Sequence, residues 1–212
     1  MKCFMGKICY IIGAGEGFLP FEKKEGDLVI AADGGYAYLR ALGVQPDLLL
    51  GDFDSLPADA LPSDGTEILR FPIRKDDTDS ALAFRYAYDK GYREFWLLGA
   101  TGGRADHTFA AYQLLLHARR LGARITLVGE RELTECLLSE QRFFEGAEGA
   151  TLSVFAFGTD AHGVDISGAS YELADGTLAA DIALGVSNAF VGTPVRISVR
   201  EGALLVMRER TD

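Results

Sequence analysis

Short, unbroken apolar runs separated by polar turns set the rhythm of the first 130 residues. Ile8-Cys9-Tyr10-Ile11-Ile12 and Leu28-Val29-Ile30-Ala31-Ala32 show no alternation, the pattern of strands buried on both faces. A third apolar run, after Pro46, feeds into Leu49-Leu50-Gly51, and further strand-like runs occupy 67–71 (stopped by Pro72), 95–98 and 124–128. Between them, helical spacing predicts helices over 36–42, 78–90 and 106–121. Gly43 and Gly91 end the first two, and Asp76 or Asp77 is placed to cap the second. The stretch 56–65, with two prolines and no apolar period, reads as a loop. Strand, loop and helix in this order predict an open, mostly parallel sheet with flanking helices. Such sheets bind ligands outside the carboxyl ends of their strands.

The rhythm changes after Glu130. Residues 133–139 are ambiguous. Beyond them come strand-sized pieces divided by glycine, at 151–157, 164–166, 176–180, 185–190, 195–199 and 203–207. Each is too short for an amphipathic helix, so the last third is expected to be an antiparallel β-sandwich or barrel. The boundary falls in 130–145, giving an α/β domain over 1–135 and a β domain over 136–212.

Charge and cysteine content narrow the chemistry. The net charge of −10 argues against a nucleic-acid surface, which needs a basic stripe. Cys3, Cys9 and Cys136 are scattered without ligand spacing and read as free thiols of a reducing compartment. Lys7 interrupts the N-terminal apolar residues where a secretory signal would continue, and no apolar stretch reaches the ~20 residues of a membrane helix. The expected location is the cytoplasm, without membrane partners.

The candidate chemistry lies where strands end. In Gly51-Asp52-Phe53-Asp54-Ser55 two carboxylates stand at i and i+2, on the same side of an extended chain. Their charge calls for neutralisation, and a hard divalent cation is the natural counterpart. A second acidic cluster, Lys75-Asp76-Asp77-Thr78-Asp79, follows about twenty residues on, and Asp33-Gly34-Gly35 adds a further carboxylate and a close-approach glycine pair. Gly13-Ala14-Gly15-Glu16-Gly17 reads first as a turn. The glycine-rich stretch 99–107 ends at a predicted helix start, where backbone N–H groups with Thr101, Arg104 and His107 suit phosphate or nucleotide. Lys75 is a candidate for stabilising transferring phosphate. In the last third, Ser187 and Asn188 could orient a ligand or form a turn, and Tyr171 could stack on a flat ring or be a strand tyrosine.

Taken in order, Ala32-Asp33-Gly34-Gly35, Gly51-Asp52-Phe53-Asp54-Ser55, Lys75-Asp76-Asp77-Thr78-Asp79, Gly99-Ala100-Thr101-Gly102-Gly103-Arg104-Ala105-Asp106-His107 and Ser187-Asn188 resemble the bacterial thiamine pyrophosphokinase (thiamine diphosphokinase) family. The resemblance spans roughly 8–207. It implies a catalytic α/β domain, a β domain that helps bind thiamine, and a homodimer whose sites are shared between subunits. The implied reaction is Mg²⁺-dependent transfer of diphosphate from ATP to the thiamine hydroxyl, releasing AMP. By the same resemblance Asp52, Asp54 and Asp79 are the metal-site aspartates; Lys75, a catalytic candidate on its chemistry alone, could equally be a solvated partner of its neighbouring aspartates. Asp33, Gly34, Thr101, Gly102, Arg104, Asp106 and His107 are assigned to the nucleotide, and Tyr171, Ser187 and Asn188 to thiamine. Tyr36 and the segment Gly168-Ala169-Ser170-Tyr171-Glu172-Leu173 depart from the family's usual residues and bear on the shape of the thiamine pocket.

Two other classes stay open on the residues. Asp-x-Asp also serves metal-dependent nucleotide-sugar glycosyltransferases, although the 99–107 loop and the 75–79 cluster argue against that. A non-catalytic nucleotide or thiamine sensor would keep the ligand residues without turnover.

Overall fold

The computed structural model describes residues 6–51, 53, 62, 65–70 and 77–210. The chain forms two compact units: Met1–Leu114 with Gly122–Glu130, and Leu115–Leu121 with Arg131–Asp212.

The first unit contains strands β1 (Ile8–Ile12), β2 (Leu28–Ala32), β3 (Leu48–Gly51), β4 (Glu67–Arg70), β5 (Glu94–Leu98) and β6 (Arg124–Val128). They pair in the order β4-β3-β2-β1-β5-β6, every pairing parallel. The uninterrupted apolar runs are buried as their pattern requires: Ile11, Ile30, Leu49, Leu50, Leu97 and Leu127 are wholly inaccessible. Each such side chain contributes roughly 1.5–3 kcal/mol by leaving water. β4 is the edge strand of this unit, and its exposed Glu67 and Arg70 suit an edge that must not recruit another chain.

Helices α1 (Gly35–Ala41) and α2 (Asp79–Asp89) pack on the central strands. α3 (Ala105–Arg120) follows β5. The helix caps differ in detail from expectation. Thr78, with extended backbone, caps α2 by accepting from the Ala81 N–H at 3.2 Å. Asp77 instead pairs with Arg85, and Asp76 lies outside the described residues. A hydroxyl one position nearer the helix has the better reach to the third N–H, so the aspartate is released to the surface.

The second unit is a sandwich of two antiparallel sheets. One runs β7 (Glu132–Leu138), β14 (Ala203–Glu209), β9 (Thr151–Ala156), β12 (Asn188–Ala189). The other runs β11 (Leu173–Leu178), β10 (Ala161–Ser167), β13 (Val195–Glu201), β8 (Gln141–Phe144). Their inner faces share one core, with Leu137, Leu152, Val154 and Leu204 from the first sheet against Val164, Ile166, Val195 and Ile197 from the second. The ambiguous stretch at 133–139 is therefore a strand, and the piece expected over 185–190 keeps strand geometry at two residues. Ser187 breaks it with φ +59.

Among the described residues no helix is long and apolar enough to cross a membrane. Cys9 and Cys136 are free and buried, and burial pushes the Cys136 thiol up to about 12 and that of Cys9 also upward. Neither is poised as a nucleophile.

Candidate active site

Strand order reverses at β1. From there β2, β3 and β4 extend one way and β5 and β6 the other. A crevice forms at the carboxyl ends of strands where such a reversal occurs, and Asp33 and the 99–107 loop follow strands that end on this edge.

The loops after β1 and β5 are laced to each other. Gly13 N–H donates to the Leu98 carbonyl at 2.8 Å, Gly15 to Gly99 at 2.7 Å, Glu16 to Thr101 at 2.6 Å, and Gly99 in return to Gly17 at 3.0 Å. These donors are spent on the protein, so the 13–17 loop is a brace for the 99–107 loop. The glycines make the close approach possible. A Cβ on Gly13 would lie 2.4 Å from the Gly99 carbonyl oxygen, and one on Gly15 equally close to that of Thr101. Thr101 is buried, whereas residues 102–107 are exposed.

Beyond that brace the 99–107 loop opens to solvent. Gly102 and Gly103 both have positive φ. The Arg104 guanidinium forks onto Asp106, Nε to Oδ1 at 3.1 Å and Nη2 to Oδ2 at 2.6 Å, and Asp106 Oδ1 also accepts the His107 N–H at 3.0 Å. The guanidinium holds the Asp106 carboxyl below the usual carboxylate range. Asp106 belongs to the first turn of α3, where negative charge favours the helix dipole.

Asp33 closes β2 in the left-handed region, φ +47, with its N–H on the Leu50 carbonyl at 2.7 Å. Its Oδ1 is buried beside Gly51, where an added Cβ would sit 3.1 Å from Asp33 Cβ and 3.3 Å from Oδ1. The Gly34-Gly35 pair, read from sequence as a place for ligand approach, also has a packing reason. A Cβ on Gly35 would strike the Ile12 carbonyl oxygen at 1.9 Å, and one on Gly34 the Ala14 side chain at 2.8 Å.

Asp79 is half-buried as the first residue of α2, a helix start instead of a strand end. Asp52, Asp54 and Lys75 lie outside the described residues. Phe53 between the two aspartates is buried with φ +59, and Arg70 lies over its ring at 5.3 Å. For a bulky side chain that backbone conformation is a costly exception of the kind that collects at functional sites.

In the second unit, Tyr171, Ser187 and Asn188 come together. The buried Asn188 amide accepts the Tyr171 N–H at 2.9 Å and the Ala189 N–H at 2.9 Å, and donates to the Tyr171 carbonyl at 2.7 Å. Ser187 donates its N–H to Ser153 Oγ at 3.1 Å. Tyr171 as a whole is 74% exposed. Ile182, Leu184 and Val186 are exposed apolar side chains on the segment leading into Ser187. Sequence alone singled out these three polar positions but not Ser153, whose hydroxyl bonds a residue 34 positions away.

Residues 22–127 match the family model described as thiamin pyrophosphokinase, catalytic domain, and residues 140–204 that described as thiamin pyrophosphokinase, vitamin B1 binding domain. The chain is 27% identical to thiamine pyrophosphokinase of Bacillus subtilis over 188 residues, covering 87% of this chain and 88% of the relative. A crystal structure of the Bacillus subtilis thiamine pyrophosphokinase superposes with a TM-score of 0.86 at 25% identity, over 97% of this chain and 100% of that one. One from Geobacillus thermodenitrificans gives 0.83 at 27% identity, over 97% and 98%. The yeast enzyme, at 16% identity and a TM-score of 0.72 over 99% of this chain and 88% of that one, shares the fold.

Proposed function

Because the chain belongs to the thiamine pyrophosphokinase family, a family of diphosphotransferases that form thiamine diphosphate, we propose that it moves the β,γ-diphosphate of ATP onto the thiamine hydroxyl and releases AMP. The observation that carries this reading is the shared edge of the parallel sheet. There the ends of β2, β3 and β5 lead into Asp33, the Asp52-Phe53-Asp54 segment and the 99–107 loop, beside the brace at the strand-order reversal.

Asp52, Asp54 and Asp79 would hold Mg²⁺, with Asp33 beside them. Among the described residues no group of three metal-ligating side chains occurs, and two of these three aspartates lie outside that set. The fit rests on the donor chemistry, all carboxylate oxygen as a hard cation prefers, and on the space that Gly51 leaves beside the Asp33 carboxylate. Bound there, the ion would spread phosphate charge and orient the chain of phosphates for in-line attack.

The protein's own part is positioning. Gly102 and Gly103 are exposed and have positive φ, and their backbone N–H groups would suit phosphate oxygens. Arg104 has donors to add on the edge that Asp106 does not occupy. His107 and Lys75 complete the polar set around the nucleotide. Tyr171 offers its face to the thiamine ring, and Ser187 and Asn188 shape the segment beside it.

The exposed apolar side chains at Ile182, Leu184 and Val186 support a homodimer; as the family resemblance implies, the nucleotide half of each site would come from one subunit and the thiamine half from the other. Asp79→Asn and Tyr171→Ala subunits, mixed under exchange, should then regain activity. Verified heterodimers without any recovery would rule out sharing. We place the enzyme in the cytoplasm, and assign nucleotide and metal to the α/β unit and thiamine to the β unit. The main segment of the β unit begins at Arg131, ahead of the expected 136, because β7 pairs with β14. Incubation with ATP, Mg²⁺ and thiamine tests the reaction. AMP and thiamine diphosphate should form one for one, and ADP with thiamine monophosphate would refute the reading.

A further inference from the structure

Asn188 is one of the few buried polar side chains of the sandwich, and three of its four hydrogen-bonding positions are spent on backbone. Two of those three bonds go to one residue. Its amide takes both the N–H and the C=O of Tyr171, as a neighbouring strand would. The rest of the segment is tied down in the same register. Ser170 N–H donates to the Ala189 carbonyl at 3.0 Å, and Ala169 bridges Phe190. At the far end Gly168 N–H donates to Glu172 Oε1 at 2.8 Å, closing the loop on itself. The backbone of 168–172 is thus held at both ends while the Tyr171 ring projects into solvent.

An exposed aromatic side chain on a fixed backbone loses little conformational freedom when it binds. Thiamine is a flat aromatic cation, and the negative π-face of tyrosine attracts both its positive charge and its ring edges. Ordering the segment before substrate arrives therefore belongs to recognition, and the side chain that orders it is Asn188.

We infer that Asn188 is a positioning residue for thiamine, acting through Tyr171 without itself touching substrate. This rests on the reading of Tyr171 as the ring contact of the thiamine site. It predicts a specific pattern of coupling. Removing the clamp costs affinity because Tyr171 loses its place, so the loss disappears when the ring is already gone.

The test is a double-mutant cycle on the full-length enzyme, with KM and kcat for thiamine measured at saturating ATP. Asn188→Ala and Tyr171→Ala should each raise KM for thiamine about tenfold, leaving KM for ATP unchanged. The double variant should be no worse than the poorer single one. Asn188→Asp keeps the acceptor for the Tyr171 and Ala189 N–H groups and loses the donor to the Tyr171 carbonyl. The oxygen that replaces the donor repels that carbonyl, so this variant too should raise KM for thiamine, and it stands in if Asn188→Ala does not fold. Multiplying effects in the double variant would mean that Asn188 meets substrate directly and would overturn the inference. So would an unchanged KM in a folded Asn188 variant. A working enzyme whose thiamine KM ignores Tyr171→Ala would instead refute the ring contact, and no turnover of thiamine by the wild type would refute the proposed reaction.

Discussion

The hydroxyl of Thr101 donates to the main-chain carbonyl of Glu16 at 3.2 Å, joining two loops that lie 85 residues apart in the chain. Glu16 N–H returns a bond to the Thr101 carbonyl, so the pair forms a one-rung antiparallel bridge at the strand-order reversal. Thr101→Val keeps the shape and removes the donor. A lost hydrogen bond at a buried site costs about 1 kcal/mol, or roughly 2–4 °C in thermal midpoint for a chain this size. KM for ATP should rise several-fold in the same variant, with KM for thiamine unchanged. Equal rises in both would mean that the brace serves the fold alone.

Gly51→Ala separates stability from activity. Alanine in a strand regains about 0.5–1 kcal/mol of the entropy that glycine forfeits, which offsets the crowding of Asp33 at 3.1–3.3 Å. The thermal midpoint should move by no more than a few degrees while turnover falls, because the Asp33 carboxylate has to shift by a few tenths of an ångström. Full turnover at wild-type Mg²⁺ would show that the position of Asp33 is immaterial.

Asp79 stands at the positive end of α2, so Asp79→Asn forfeits about 0.3–1 kcal/mol of helix-dipole stabilisation. If it is also a metal ligand, the effect on activity is much larger than that. We expect at least the ~10–100-fold loss that even an outer-sphere partner can cost, partly restored by raising Mg²⁺. A loss indifferent to Mg²⁺ concentration would remove Asp79 from the metal set.

Asp165 provides a pH signature in the β unit. Its carboxylate accepts the Asp175 N–H and the Ser198 hydroxyl, each at 3.0 Å, and these two bonds lower its pKa. A depressed folded pKa stabilises the protein above the unfolded value of about 3.9. That contribution is lost as pH falls through the lower folded value. Asp165→Asn should therefore melt earlier than wild type at pH 7, with the gap closing in acid. Parallel melting curves across the whole range would contradict this.

The inner strands of the first unit were legible because burial on both faces forces an unbroken apolar run, as in Leu28-Val29-Ile30-Ala31-Ala32. β8 was not, since Gln141-Arg142-Phe143-Phe144 mixes polar and aromatic residues over four positions. Nor was the end of the strand expected over 185–190. The Gly185 carbonyl is taken by Val154 N–H, and Ser187 turns into positive φ. The motifs placed Asp33 and 99–107 directly after strands, and there the structure has them, behind β2 and β5. Local pattern could not say that Gly35 is glycine because of the Ile12 carbonyl, or that the 13–17 glycines face 99–101. Those reasons lie in contacts between distant segments. Asn188 is the sharpest case: its residue type was visible, and its partner, 17 residues away, was not.

The most direct test of the central claim follows the phosphorus atoms. ATP labelled separately at the β and at the γ position, incubated with the enzyme, Mg²⁺ and thiamine, reports which bond breaks. Attack at the β-phosphorus predicts that both labels enter the thiamine product in equal amounts, with unlabelled AMP released at the same rate. Entry of the γ label alone, with the β label recovered in ADP, would contradict the account.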